Sequence, residues 1–246
     1  MARYKLTLAY DGAAFFGSQR QARRRTVQAE LERAVRRLGW RGSSVVLAGR
    51  TDAGVHAMGQ VAALDLEWVH GEEALRDAIN AALPPEMVVT AAQIAGEDFH
   101  PRFDAVSRRY RYEVRCAPHR HPLEDRFVWR VWPAVEPAAL DRAARLILGT
   151  HDFGAFGSAA RKGGGTVRTV QASAWSAGGH VLRYEIVADG FLYRMVRRIV
   201  FLQVAVGQGK CSEQALGEAL RTGARVKGLP AGTAPADGLR LMEVKY

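Results

Sequence analysis

The sequence predicts a mixed α/β (α+β) fold whose first half follows the ferredoxin-like order of strand, helix, strand, strand, helix, strand. Three observations predict it. Apolar residues recur every second position in short segments and every third or fourth in longer ones. Capping residues precede the longer segments, and Gly or Pro follows them. The length of 246 residues suits one large domain or two small ones, with ample chain for a core. Residues 4–10 alternate at period two and form the first strand. Thr26 caps a helix with the apolar stripe Val27, Leu31, Ala34, Val35 and Leu38, which Gly39 stops. Residues 44–47 and 59–66 form two strands around a tight connection. Residues 72–83 form a second helix, with Leu75, Ala78, Ile79 and Ala82 on one face and Pro84-Pro85 after it. Residues 87–95 complete the half as a strand.

The second half mixes the same periods more loosely. Strands are expected over 109–115 and 127–132, and a helix over 137–148 with Pro137 in its first turn and Gly149 beyond it. A hairpin spans 166–175 and 180–189 around Gly178-Gly179. Helices follow over 191–206 and 212–220, and a closing strand over 239–246. The loop 159–165, with Arg161, Lys162 and three glycines, is expected to be mobile. A boundary near residue 103 gives domains 1–103 and 104–246, with the cleft between them as the natural site.

The charge balance narrows the partners. Net charge is +10, from 30 Arg and 5 Lys against 25 acidic residues. Arg suits bidentate phosphate contacts and stacking on bases, although coding bias or heat adaptation also raises an Arg:Lys ratio. An excess of this size favours a polyanion, nucleic acid before an anionic membrane surface. Cys116 and Cys211 are too few for a disulfide framework and have no Cys-x-x-Cys spacing. The chain enters a strand pattern at once, without a signal-peptide core, and its most apolar stretch, 199–206, is far too short to span a bilayer. The expectation is a soluble cytoplasmic protein with no membrane association.

Chemistry concentrates in Ala48-Gly49-Arg50-Thr51-Asp52-Ala53-Gly54-Val55-His56-Ala57. This is a connection at the end of a strand, where side chains are displayed on a rigid base. Gly49 and Gly54 open backbone conformations closed to other residues. Between them stand a guanidinium, a hydroxyl and a carboxylate. A carboxylate at Asp52 can serve as nucleophile or base; the same position also suits a turn carboxylate bonding its own backbone. Asp52, His56 and Asp65 form a weak metal-like spacing without His-x-x-x-His or Cys support, so no metal is expected.

The string 50–56 resembles the catalytic-aspartate motif of the TruA family of tRNA pseudouridine synthases. Further matches lie in family order: Tyr10-Asp11-Gly12 with Gly17 and Gln19, Asp98-Phe99-His100 with Arg102-Phe103, Ser107-Arg108-Arg109-Tyr110-Arg111-Tyr112, and Phe191 through Met195-Val196-Arg197. They span nearly the whole chain. The resemblance implies the pseudouridine synthase fold: two ferredoxin-like, RRM-like halves sharing a continuous, mainly antiparallel sheet with a central cleft, assembled as a homodimer. It implies isomerisation of uridine to pseudouridine at positions 38, 39 and 40 of the tRNA anticodon stem-loop, without cofactor. The glycosidic bond breaks, the uracil turns, and its C5 joins C1′ of the ribose. One carboxylate suffices to add to C1′ or to uracil C6, or to assist deprotonation.

The resemblance makes Asp52 that carboxylate. Arg50 pairs with Asp52 or with a phosphate. Tyr110 packs against the target base, which must leave the RNA helix for Asp52 to reach it. Arg197 is the cationic partner of Asp52. Strand alternation puts Tyr110 and Tyr112 on one face and Arg109 and Arg111 on the other. Helical spacing lets Arg194, Arg197 and Arg198 form one basic stripe, whose charge an active-site carboxylate or an RNA phosphate would balance. The loop with Gln19, Arg20, Arg23, Arg24 and Arg25 clasps tRNA, and His56, His100, Arg102 and Arg194 join it as substrate-binding candidates. Ser18 stands where the family usually has tryptophan, which removes a stacking contact there. Two other classes compete. A non-catalytic RNA-binding module of RRM-like fold has no reason to hold a carboxylate beside a polyanion, and a metal-dependent phosphodiesterase needs ligand clusters that the sequence lacks.

Overall fold

The computed structural model describes residues 1–159, 161 and 163–246. The expected mobile loop 159–165 includes Ala160 and Lys162, which lie outside the described residues. The chain divides into two compact units, Met1–Val106 with Arg240–Tyr246, and Ser107–Leu239. The division expected after residue 103 therefore falls three residues later, and residues 240–246 join the first unit rather than the second. Two pairings explain this: the closing strand lies along a strand of the first unit, and the Val106 N–H donates to the Lys245 carbonyl at 2.8 Å.

The first unit contains β1 (Ala2–Tyr10), α1 (Val27–Arg36), β2 (Val46–Leu47), β3 (His56–Leu66), α2 (Glu72–Ala82), β4 (Met87–Ile94) and most of β10 (Leu239–Lys245). The expected ferredoxin-like order is present. β1 pairs antiparallel with both β3 and β4. On its other edge β3 takes β2 antiparallel at Val46↔Ala63 and β10 parallel at Arg240↔His56. The alternation of β1 buries Tyr4, Leu6, Leu8 and Tyr10. Both helix stripes turn inward: Leu31, Val35, Leu75 and Ile79 are fully buried, each worth about 1.5–3 kcal/mol in removed apolar surface. Thr26 caps α1, its hydroxyl accepting the Ala29 N–H at 3.4 Å, and Gly39 ends that segment at φ +88°.

A buried polar knot ties the arginine-bearing loop to this scaffold. Glu32, on α1, accepts the Val45 N–H at 3.1 Å, Gln28 Nε2 at 3.0 Å and Arg20 Nη1 at 2.7 Å. Every bond goes to a carboxylate withdrawn from water, so the cost of burying it is offset.

The second unit contains β5 (Ser107–Cys116), β6 (Trp129–Val131), α3 (Pro137–Leu146), β7 (Gly149–Asp152), β8 (Val167–Gly178), β9 (Val181–Ala188), α4 (Met195–Gly207) and α5 (Glu213–Thr222). Its strands run in the order β6-β5-β9-β8-β7, antiparallel except for β5 with β6. The hairpin β8–β9 closes at Gly178↔Val181, with Gly179 at φ +64°. β7 is an addition to the sequence expectation: four mostly polar residues carry no period-two apolar signal. Tyr184 is fully buried on β9, and burial pushes its phenol up to about 12 although its hydroxyl meets Ser173 Oγ at 2.7 Å.

One helix start differs from the sequence expectation. α4 begins at Met195, not Phe191, because Arg194 takes a left-handed conformation at φ 61°, ψ 8°. Tyr193 is held outside the helix by a bridge to Ser158, its N–H donating to the Ser158 carbonyl at 3.0 Å. Among the described residues no helix is long and apolar enough to cross a membrane.

Candidate active site

The connection from β2 to β3 is bonded to the first unit residue by residue. Ala48 N–H donates to the Val61 carbonyl at 2.8 Å, and the Gly49 carbonyl accepts Gln60 Nε2 at 3.0 Å. Thr51 is buried and doubly joined to Ser18: its N–H donates to Ser18 Oγ at 2.8 Å, and its carbonyl accepts the Ser18 N–H at 3.0 Å. Its hydroxyl also meets Tyr10 Oη at 2.8 Å, and burial raises the Tyr10 phenol so that it stays protonated. Beyond it the chain turns. The Val55 N–H donates to the Asp52 carbonyl at 3.1 Å, and Gly54 stands at φ +82°. That is the third position of a type II turn, which favours glycine. Gly49 does not use the left-handed range, so only one of the two glycines meets that expectation. Asp52 is thus half-buried between two buried residues, Thr51 and Val55, and Arg50 is exposed.

The short turn after β1 packs directly on this loop. Gly12 lies so close to Val55 that a Cβ at residue 12 would stand 2.1 Å from the Val55 carbonyl oxygen. Its N–H donates to His56 Nδ1 at 3.0 Å, with Asp11 Oδ1 3.1 Å from the same nitrogen. His56 is buried and braces the backbone around Asp52.

The arginines of the 19–25 loop divide into two kinds. Arg20 is drawn to Glu32 and the Ser43 carbonyl. Arg25 bonds Glu86 at 2.9 Å and lies 5.0 Å over the Phe15 ring; the Glu86 bond holds its guanidinium charged. Gln19, Arg23 and Arg24 are exposed. Arg24 rests its guanidinium 4.5 Å from the centre of the Phe16 ring, which is 49% exposed. Phe16 was not singled out from the sequence, although two adjacent phenylalanines in a polar loop are a signal. Ser18 is interior, which makes Phe16 the exposed ring of this loop. Farther along, His100 Nδ1 accepts the N–H groups of Arg102 and Phe103, both at 3.2 Å, and stacks on Phe103 at 4.2 Å. His100 therefore shapes a turn that presents Arg102 and the exposed Phe103.

Tyr110, Arg194 and Arg197 belong to the second unit. Tyr110 is buried on β5 opposite Ile186, and its ring meets Phe191 edge-on at 5.0 Å. Arg109 and Arg111 occupy the opposite face and share Glu185. Arg194, the residue before α4, is exposed and lies 4.9 Å over the Tyr193 ring. It thus lies outside the helix, and the expected stripe is corrected: Arg197 is half-buried on the first turn of α4, while Arg198 is buried. Arg197 Nε donates to the Ala234 carbonyl at 2.8 Å. A non-glycine residue in the left-handed region costs on the order of 1 kcal/mol or more, and such strain gathers at functional sites. Among the described residues no three His, Cys, Asp or Glu side chains are grouped to hold a metal. Asp65 of the weak metal-like spacing bonds Arg3 at 2.8 and 2.7 Å, and that pairing holds its carboxyl below the usual range.

Residues 7–104 and 143–246 match the model of a family described as tRNA pseudouridine synthase. The chain is 41% identical to tRNA pseudouridine synthase A of Geobacillus kaustophilus, over 99% of this chain and 94% of the relative. It is 42% identical to the protein of the same name from Maricaulis maris, over 100% and 98%. Against that from Paramagnetospirillum magneticum the identity is 40%, over 100% and 96%.

Proposed function

The chain belongs to the tRNA pseudouridine synthase family, and we propose that Asp52 is the carboxylate through which it isomerises tRNA uridine to pseudouridine. The observation that carries this reading is the fixed backbone on both sides of Asp52. Thr51 is bonded to Ser18 and Tyr10, and Val55 is buried against Gly12. A carboxylate on such a mount is held in place before substrate arrives, which is what addition to C1′ or to uracil C6 requires. Substrate and product are isomers, so the reaction needs no oxidant, no reductant and no added group. The C1′–N1 bond breaks, a C1′–C5 bond forms, the C5 proton leaves, and N1 regains a proton.

The remaining roles follow the chemistry of each side chain. Arg50 and Arg197 supply positive charge for a carboxylate or phosphate, and Tyr110 offers a ring for the flipped base. Gln19, Arg23, Arg24, His100, Arg102 and Arg194 contact the anticodon stem-loop. Arg20, Arg25 and His56 shape the surfaces that do so, since their bonds turn inward. The target positions are 38, 39 and 40, the protein works in the cytoplasm, and two copies form a homodimer.

Unmodified tRNA carrying uridine at those positions, incubated with the protein in EDTA without added nucleotide, tests the reading. Carbodiimide-primer extension is expected to map pseudouridine at 38 to 40, with release of tritium from C5-labelled uridine. Tight binding without conversion would instead make the protein an RNA-binding module, and conversion confined to other positions would overturn the site assignment. Light scattering on the same preparation is expected to give twice the 27.0 kDa chain mass; a single chain mass at working concentration would overturn the dimer.

A further inference from the structure

Between α5 and β10 the chain runs without helix or strand from residue 224 to 238. The middle of this strap is fastened to α4 and β5 by side chains that bond its carbonyls. Arg198 Nη1 donates to Gly232 O at 2.8 Å, Arg197 Nε to Ala234 O at 2.8 Å, and Tyr112 Oη to Pro235 O at 2.8 Å. Ala234 is fully buried, and its N–H donates back to the Arg197 carbonyl at 3.0 Å. Gly232 stands at φ +133° against the Phe201 ring, where a Cβ would come within 2.7 Å of the ring edge.

Arg198 is the unusual member. It is 6% exposed, has no carboxylate partner among the described residues, and its Nη2 makes no hydrogen bond there. Burial lowers its pKa, and Arg225 lowers it further. A guanidinium placed this way is a poor choice for stability, since a methionine of similar length would fill the space without the desolvation cost. What a methionine would lose is the bond to Gly232. That carbonyl lies two residues from Ala234, which takes Nε of Arg197. The bond from Nε to the Ala234 carbonyl therefore helps to set the plane in which the Arg197 guanidinium lies.

We propose that Arg198 is a positioning residue: through Gly232 it sets the strap, and the strap's Ala234 carbonyl aims the guanidinium of Arg197. The inference rests on the reading of Arg197 as the cationic group of the reaction. Its test is a cycle of Arg198→Met, Arg198→Lys, Arg197→Lys and the double variant Arg197→Lys/Arg198→Met. Single-turnover rate, tRNA Kd and Tm are measured for each. Arg198→Met is expected to lower the single-turnover rate by about 10–100-fold, as a misplaced reacting group does, while Kd and Tm hold. Arg198→Lys, which can still donate to Gly232 O, recovers most of the rate. In the Arg197→Lys background the Arg198→Met loss nearly vanishes, because nothing remains to be aimed.

A wild-type rate in Arg198→Met, or an equal loss in both backgrounds, overturns the proposal. Should Arg198→Met fail to fold, Gly232→Ala displaces the same strap from the Phe201 side and is expected to give the same pattern of rate without Kd. Arg197→Ala separates the two readings. A wild-type rate there overturns the role of Arg197 and the strap inference together; a slow Arg197→Ala beside a normal Arg198→Met overturns the strap inference alone.

Discussion

Asp52→Asn is expected to abolish pseudouridine formation, with a loss in kcat on the order of 10⁴-fold or more, while tRNA affinity changes little. The amide keeps the size and shape of the carboxylate but has neither its charge nor a lone pair suited to attack on carbon. The turn itself survives, because its defining bond joins the Val55 N–H to a backbone carbonyl and Asn is at home in turns. Binding by filter retention and conversion by primer extension, measured on one preparation, separate the two effects. An Asn variant retaining roughly a tenth of the wild-type rate would make the carboxylate a structural part of the loop, since losing a true nucleophile costs far more.

Gly12→Ala is expected to be the most damaging single-methyl change in the first unit. The added carbon would lie 2.1 Å from Val55 O, 2.3 Å from Val55 C and 2.8 Å from Gly54 C, all of them backbone atoms of the turn that carries Asp52. No side chain can swing aside to relieve this. Either the post-β1 turn gives up its bonds to Glu86 O and His56, or residues 54 and 55 move by an ångström or more. Overpacking of this kind costs about 1–3 kcal/mol, and a 1 Å shift of a catalytic group can cost about 10²-fold in rate. Thermal unfolding and single-turnover kinetics read the two losses. Gly49→Ala is the control within the same loop, because its Cβ would meet nothing within 4 Å; equal damage from both would show that the contact with Val55 is not the cause.

The first unit was the more legible half because each of its elements rests on local signals. β1 alternates, Thr26 and Gly39 bracket α1, and Pro84-Pro85 follow α2, so their limits could be read within one or two residues. The start of α4 differs for a physical reason: 191–196 is apolar apart from Arg194 and has helical character, but Arg194 is left-handed and its neighbour Tyr193 is bridged to Ser158, 35 positions upstream. β7 escaped because a short polar strand is defined by its partner β8, not by its own pattern. The Asp52 loop stood out through its motif. The supporting role of the residues that hold it did not: Tyr10 and Ser18 stand out only as family positions and Gln60 not at all, because the pairing of distant segments is what brings all three to the loop. The inward commitment of Arg20 was likewise hidden, because Glu32 reads in sequence as an ordinary surface acid of α1.

The pairing of β10 with His56 and Ala57 sets a timetable for synthesis. Residues 1–106 leave the ribosome well before residue 240, by about ten seconds at common elongation rates. Throughout that interval the edge of β3 nearest the Asp52 turn has no neighbour, and an open strand edge is a template for pairing with other chains. Finishing the first unit also requires a contact across more than 180 residues, the kind of long-range closure that slows folding. A translation product ending before residue 240 would therefore carry the whole Asp52 motif on a sheet it could not close. Nascent chains stalled in the second unit should accumulate as holdase clients, not as slow enzymes.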